Sequence, residues 1–191
     1  YMADPTAVTD DEYFLDYLVR WPADHDLISV KTPATDSASA ATAMATGLKT
    51  QAGNISWKAG DEDEGSVQTI AEWMREVKNG RFGVVSSVQF NHATPAAFVS
   101  HNVNRSNYSD NKNRGSSYGK NIAEEIVQDT QPDVVIGAGW SGTSYMPEAL
   151  RTELTASTDY EFVQRIDGQD GGANLATAAA NAVANDKKLF G

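Results

Sequence analysis

Cysteine is absent from the 191 residues, which excludes a disulfide framework and any thiolate-held zinc site. A metal ion would therefore need histidine and carboxylate ligands, yet His25, His92 and His101 are the only histidines. Basic residues are also few, 15 Lys and Arg against 26 Asp and Glu, giving a net charge of −11. That balance argues against nucleic acid as a partner, because phosphate backbones attract Lys and Arg. Asp outnumbers Glu and Lys is sparse, a composition that points to a salt-adapted or secreted protein and speaks to solubility rather than fold. No apolar run approaches the ~20 residues that span a bilayer. The opening YMADPTAVTDD has neither a basic region nor an apolar core, so no signal peptide is visible in it.

What is present reads as an ordinary globular composition, 40% apolar and 9% aromatic, long enough to bury a substantial core as one domain over residues 1–191. Tyr13–Arg20 reads as a short helix with Phe14, Tyr17 and Leu18 on one face, His25 as a solvated loop residue, and Leu27–Lys31 as a short strand. Ser66 reads as the N-cap of a helix over Val67–Lys78, whose Ile70, Trp73, Met74 and Val77 form a core stripe ended by Asn79 and Gly80. Phe82–Phe90 is a strand, largely buried over Gly83–Ser87, followed by a helix over Pro95–Val103 that contains His101, read as a partly exposed structural histidine. Residues 104–119, rich in Asn, Ser and Gly, read as a mobile surface loop or insertion. A helix near Ile122–Asp129, a strand Asp133–Ile136, a helix Pro147–Thr155, a strand Glu161–Ile166 and an alanine-rich helix Gly172–Asn185 follow. Strands alternating with helices predict an α/β fold, a mostly parallel central sheet with helices on both faces. Ligands in such sheets bind at the carboxyl ends of strands.

One stretch stands out. Ala34–Thr50, ATDSASAATAMATGLKT, is dense in Ala, Thr and Ser. Ala favours helix, and Gly47 is a natural stop. Asp36 and Ser37 sit where a loop enters the first turn, a place suited to an oxyanion. Taken singly, Asp or Ser there is an ordinary N-cap. The whole string, however, resembles the nucleophile segment of the alkaline phosphatases, an Asp-Ser-Ala triplet opening a small-residue helix. A second stretch, HATPAAFVSHNVNR at His92–Arg105, is similar to that family's second signature, and Gly137-Ala138-Gly139 resembles its glycine-rich strand end.

The resemblance implies a three-layer α/β/α sandwich, incomplete in this chain, and hydrolysis of phosphate monoesters over a broad substrate range. By that resemblance Ser37 is the nucleophile on zinc and forms a phosphoserine, Arg105 grips phosphate with its planar fork, and Asp36 holds Arg105 in place. Thr94 supplies a hydroxyl to magnesium. His92, where the family carries Asp or His, orients metal-bound or phosphate-bound water. Without the resemblance, Arg105 reads as a surface charge and Thr94, before Pro95, as an N-cap.

The family's two zinc ions and one magnesium ion need several His and Asp/Glu ligands. Three histidines, and no Gly-Asp-Gly segment near the start, predict an N-terminal to central fragment with most ligands elsewhere. Residues 1–191 alone are then expected to be inactive. The resemblance also implies a homodimer, a periplasmic or secreted location, and phosphomonoesters and inorganic phosphate as ligands. Two other readings stay open: another hydrolase of the superfamily, a phosphodiesterase or sulfatase, or a non-catalytic acidic α/β binding module. The missing cysteine counts against a sulfatase.

Overall fold

In the computed structural model, which describes residues 35–109, 119–138 and 145–191, the small-residue stretch becomes helix α1, Ser37–Thr46. Asp36 caps its start and Gly47, at φ +76°, closes its end by donating to the Ala43 carbonyl. The expected helix Tyr13–Arg20, the strand Leu27–Lys31 and His25 lie outside the described residues. Helix α2 is Ile70–Lys78, strand β1 Gly83–Gln89 and helix α3 Ala93–Val99. Helix α4, Ile122–Glu125, continues as a π-turn, Ile126–Thr130, before strand β2, Val134–Ala138. Helix α5, Glu148–Ala156, strand β3, Tyr160–Phe162, helix α6, Gly171–Ala184, and strand β4, Lys188–Phe190, complete the order.

The four strands form one parallel sheet in the order β1-β2-β4-β3. Alternation along the strands covers both faces. Val135 and Phe190 point into the main core with Ala38, Ala96, Ile122 and Leu154. Val134, Ile136 and Leu189 point the other way, against Leu175, Ala178 and Ala182 of α6. This is an α/β/α arrangement. Gly137 allows β2 to lie close to the end of β1, since a Cβ there would sit 2.5 Å from the Phe90 nitrogen.

Alanine does the close packing. Helix α1 buries Ala38, Ala41 and Ala45, and α3 buries Ala93, Ala96 and Ala97, so the two helices meet face to face with little between them. The Thr42 hydroxyl, inside α1, accepts from the Ser56 N–H at 2.8 Å and donates to the Asn54 carbonyl at 3.0 Å. Ser56 in turn donates to the Ala97 carbonyl of α3 at 2.5 Å. The segment Gly53–Trp57 is thereby stitched between the two helices.

Five sequence expectations need correcting. Helix α2 begins at Ile70, because Thr69 and Glu72 form a capping box, while Ser66 pairs with Trp57 in an isolated bridge. Its apolar stripe is not core: Ile70 is 51% exposed and Val77 56%. The helix seats itself through buried Ala71 and through polar side chains instead, with Arg75 donating to the Thr130 and Gln131 carbonyls. Among the described residues strand β1 pairs only with β2, and Val85 is 71% exposed, so the expected burial over Gly83–Ser87 is absent. Helix α3 ends at Val99, and His101 therefore lies beyond it. Finally, part of the expected mobile loop is packed: Asn107 is 1% exposed and its carbonyl accepts from the Ile122 N–H.

His101 is mostly buried and bridges two carboxylates. Its Nδ1 lies 2.7 Å from Glu125 Oε1 and its Nε2 3.3 Å from Glu72 Oε2. Burial alone would lower its pKa, but hydrogen bonds and charge from Glu125 and Glu72 raise it to about 10. A raised histidine stabilises the fold fully below its ordinary 6.5 and loses that contribution as pH climbs through about 10. Unfolding free energy measured in urea is therefore expected to fall between pH 7 and 10, and His101→Gln should flatten that slope. An equal slope in both proteins would contradict the charged state.

Candidate functional site

The Asp36 carboxylate is built into the first turn of α1. Its Oδ2 accepts from the Ala38 N–H at 3.0 Å, the Ser39 N–H at 3.1 Å and the Gly53 N–H at 2.9 Å. With one oxygen held by three backbone donors, the other is aimed. Asp36 Oδ1 accepts from Arg105 Nη1 at 2.6 Å across 69 residues of chain. Both side chains are about a fifth to a quarter exposed. Burial works to raise the Asp36 pKa, but the Gly53 N–H, Arg105 and the Ser39 N–H outweigh it, so the carboxyl stays below its usual range.

Gly53 joins the two halves. Its N–H reaches Asp36 while its carbonyl accepts from the Arg105 N–H at 2.7 Å. Its φ of +93° is open to glycine and strained for any other residue. Nothing in the sequence distinguishes Gly53 from an ordinary turn glycine.

Ser37 is the first residue of α1 and is exposed. Its place as the first residue after the Asp36 cap sets it at the positive end of the helix. His92 lies three residues past the carboxyl end of β1, as the N-cap residue of α3, without a capping bond from its side chain. Its ring stacks on Tyr108 at 6.1 Å, and Tyr108 packs on Tyr145 at 4.8 Å. These tyrosines are further site neighbours that carried no sequence signal. Thr94 is an exposed residue in the first turn of α3 rather than its cap. The structure thus joins Asp36 to Arg105 directly, with Ser37 next to Asp36 in the chain and His92 close enough for the Arg105 charge to act on it.

Burial, and then that charge, lower the His92 pKa, so the ring is neutral near pH 7 with a nitrogen lone pair to offer. Among the described residues no three His, Asp or Glu side chains converge as a metal site. A cavity of about 760 Å³ lined by Ile136, Phe162, Leu175 and Phe190 contains none of the site residues. Gln164, Arg165 and Asp167 add polar groups to its wall. The histidine can be followed directly: an NMR titration of His92 should have its midpoint below 6.5, and Arg105→Ala should move that midpoint upward. An unmoved midpoint would place the arginine away from the ring.

The comparisons with known proteins agree with one another. The sequence pattern of the family described as alkaline phosphatase matches residues 3–190. Alkaline phosphatase 3 of Bacillus subtilis is 33% identical over 141 residues, covering 73% of this chain and 27% of that protein. The tissue-nonspecific alkaline phosphatase of Homo sapiens is 31% identical over 147 residues, covering 71% and 27%. Among solved structures, a cold-active alkaline phosphatase from a psychrophilic Shewanella aligns with a TM-score of 0.55 at 33% identity, over 70% of this chain and 29% of that one. The alkaline phosphatase of the Antarctic bacterium TAB5 aligns with a TM-score of 0.54 at 23% identity over 83% and 39%, a likeness of fold. A variant of the TAB5 enzyme was solved with Mg bound. The chain spans about 27% of the length of the curated relatives it matches.

Proposed function

The chain belongs to the alkaline phosphatase family, and on that premise we propose that it serves the hydrolysis of phosphate monoesters through a phosphoserine at Ser37. The observation that carries this reading is the 2.6 Å hydrogen bond from Arg105 to Asp36 beside the exposed Ser37. It sets a two-pronged cation next to a nucleophile at a helix start. Arg105 would bind two non-bridging phosphate oxygens through the donors that Asp36 leaves free. The Ser37 hydroxyl gives its proton to solvent as its oxygen attacks phosphorus in line with the ester oxygen. The P–O bond to the alcohol breaks and the departing alkoxide takes up a proton from solvent; a water oxygen then attacks the phosphoserine phosphorus, the Oγ–P bond breaks, one water proton restores the Ser37 hydroxyl and inorganic phosphate leaves.

Zinc and magnesium belong to this proposal. Exposed hydroxyls at Ser37 and Thr94 and a neutral imidazole at His92 are donors of the right chemistry. They supply about one bond each and do not form a zinc site without further His and carboxylate ligands. When bound, such ions supply a lowered hydroxyl pKa and charge neutralisation. In this reading Ser37 faces zinc, Thr94 faces magnesium, and His92 orients water or phosphate. A homodimer and a periplasmic or secreted location come with the reading, supported by the family alone. No helix among the described residues is long and apolar enough to cross a membrane.

In a chain long enough to supply the further metal ligands, and with zinc and magnesium added, release of p-nitrophenol from its phosphate ester at alkaline pH is expected, whereas residues 1–191 alone are expected to give none. Ser37→Ala should abolish this, together with the acid-stable phosphopeptide spanning Asp36–Lys49. Arg105→Lys should raise the inhibition constant of inorganic phosphate about tenfold, because a point charge replaces a fork. Turnover that survives Ser37→Ala would overturn the assignment.

A further inference from the structure

Resting on the phosphate site above, we propose that His101 is a positioning residue for Arg105. It fixes the start of the segment Asn102–Arg105 against two helices, so that the guanidinium meets Asp36 in a single geometry.

His101 follows α3 and is tied to two other elements. Its ring bridges Glu72 of α2 and Glu125 of α4, its Nε2 also lies 3.1 Å from the Val67 carbonyl, and its own N–H donates to Glu125 Oε2 at 2.8 Å. Both carboxylates are fixed in their turn. Glu72 accepts from the Thr69 N–H at 2.8 Å, and Glu125 holds the backbone and the ring of the same histidine. Because both ring nitrogens face a carboxylate, both must carry hydrogens, and only an imidazolium satisfies the pair. Without it two carboxylates would stay in a largely buried place with no cation between them.

From that anchor the chain has little slack. Asn102 pairs with Ile55 in both directions at 2.8 Å, and its Oδ1 turns the chain by accepting from the Asn104 N–H at 3.1 Å. Arg105 then donates its N–H to Gly53, the residue whose own N–H holds Asp36. Four residues therefore connect the buried imidazolium to the guanidinium, each end bonded to a different part of the fold. A shift at His101 passes along this short tether and turns Arg105 away from the Asp36 carboxylate. Geometry, rather than contact with phosphate, is what His101 contributes.

A role confined to holding helices together would weaken every property of the protein alike, whereas a positioning role acts through Arg105 alone. The protein, in a chain long enough to supply the further metal ligands and loaded with zinc and magnesium, is titrated calorimetrically with inorganic phosphate in four forms: unaltered, His101→Gln, Arg105→Ala and both together. His101→Gln is expected to weaken phosphate binding about tenfold when Arg105 is present, and by less than about twofold when Arg105 is already alanine. Circular dichroism confirms folding, and Glu125→Gln, which keeps an acceptor for the ring, gives the same pattern at smaller size should His101→Gln fail to fold. Equal weakening in both backgrounds, or none in the first, overturns the positioning role while the phosphate site stands. Phosphate binding that ignores Arg105→Ala overturns the site and this inference together.

Discussion

The site depends on one carboxylate. Asp36 caps α1 with Oδ2 and holds Arg105 with Oδ1, so the same group that starts the helix carrying Ser37 also fixes the cation beside it. Its orientation comes from backbone donors, which have no rotamers to lose. That makes it a stiffer mount than a pair of long side chains would be. The bond is charge-assisted and partly shielded from water, which separates it from exposed ion pairs such as Arg81–Asp186 that contribute little.

Everything around the carboxylate narrows its freedom. Alanine faces on α1 and α3 let the helices approach closely, and the buried hydroxyls of Thr42 and Ser56 lock the Gly53–Trp57 segment between them. That segment presents the Gly53 N–H to Asp36 and the Gly53 carbonyl to Arg105. The β1 strand ends just before His92, and the parallel sheet carries α3 to the same edge. The proposed function rests on a few short hydrogen bonds placed on rigid, small-residue packing.

The sequence showed much of this in advance where chemistry is local. Asp36, Ser37 and Gly47 announce a capped small-residue helix, the run Asp133–Ile136 announces a strand, and the two signatures announce the partners Asp36 and Arg105. What stayed hidden is what depends on tertiary context. The stripe Ile70, Met74 and Val77 has helical spacing, but spacing does not say which face the fold covers, and α2 docks by Ala71 and Arg75 instead. Gly83–Ser87 reads as buried because β-branched runs suit central strands, yet Val85 is exposed and β1 pairs only with β2 among the described residues. His101 looked like an ordinary helical histidine because its two carboxylates lie 29 and 24 residues away in sequence, at Glu72 and Glu125. Gly53 gave no signal at all, since a turn glycine and a glycine that mounts a site look alike in one sequence.

The central claim is that Asp36 and Arg105 act as one unit. A double-mutant cycle on unfolding free energy tests it most directly, using Asp36→Ala, Arg105→Ala and the double variant in urea. Because each single change strands a partly buried charge, the two effects should fall short of additivity by about 1 kcal/mol or more. Effects that add to within about 0.3 kcal/mol would show that the pair is not coupled, and would contradict the account.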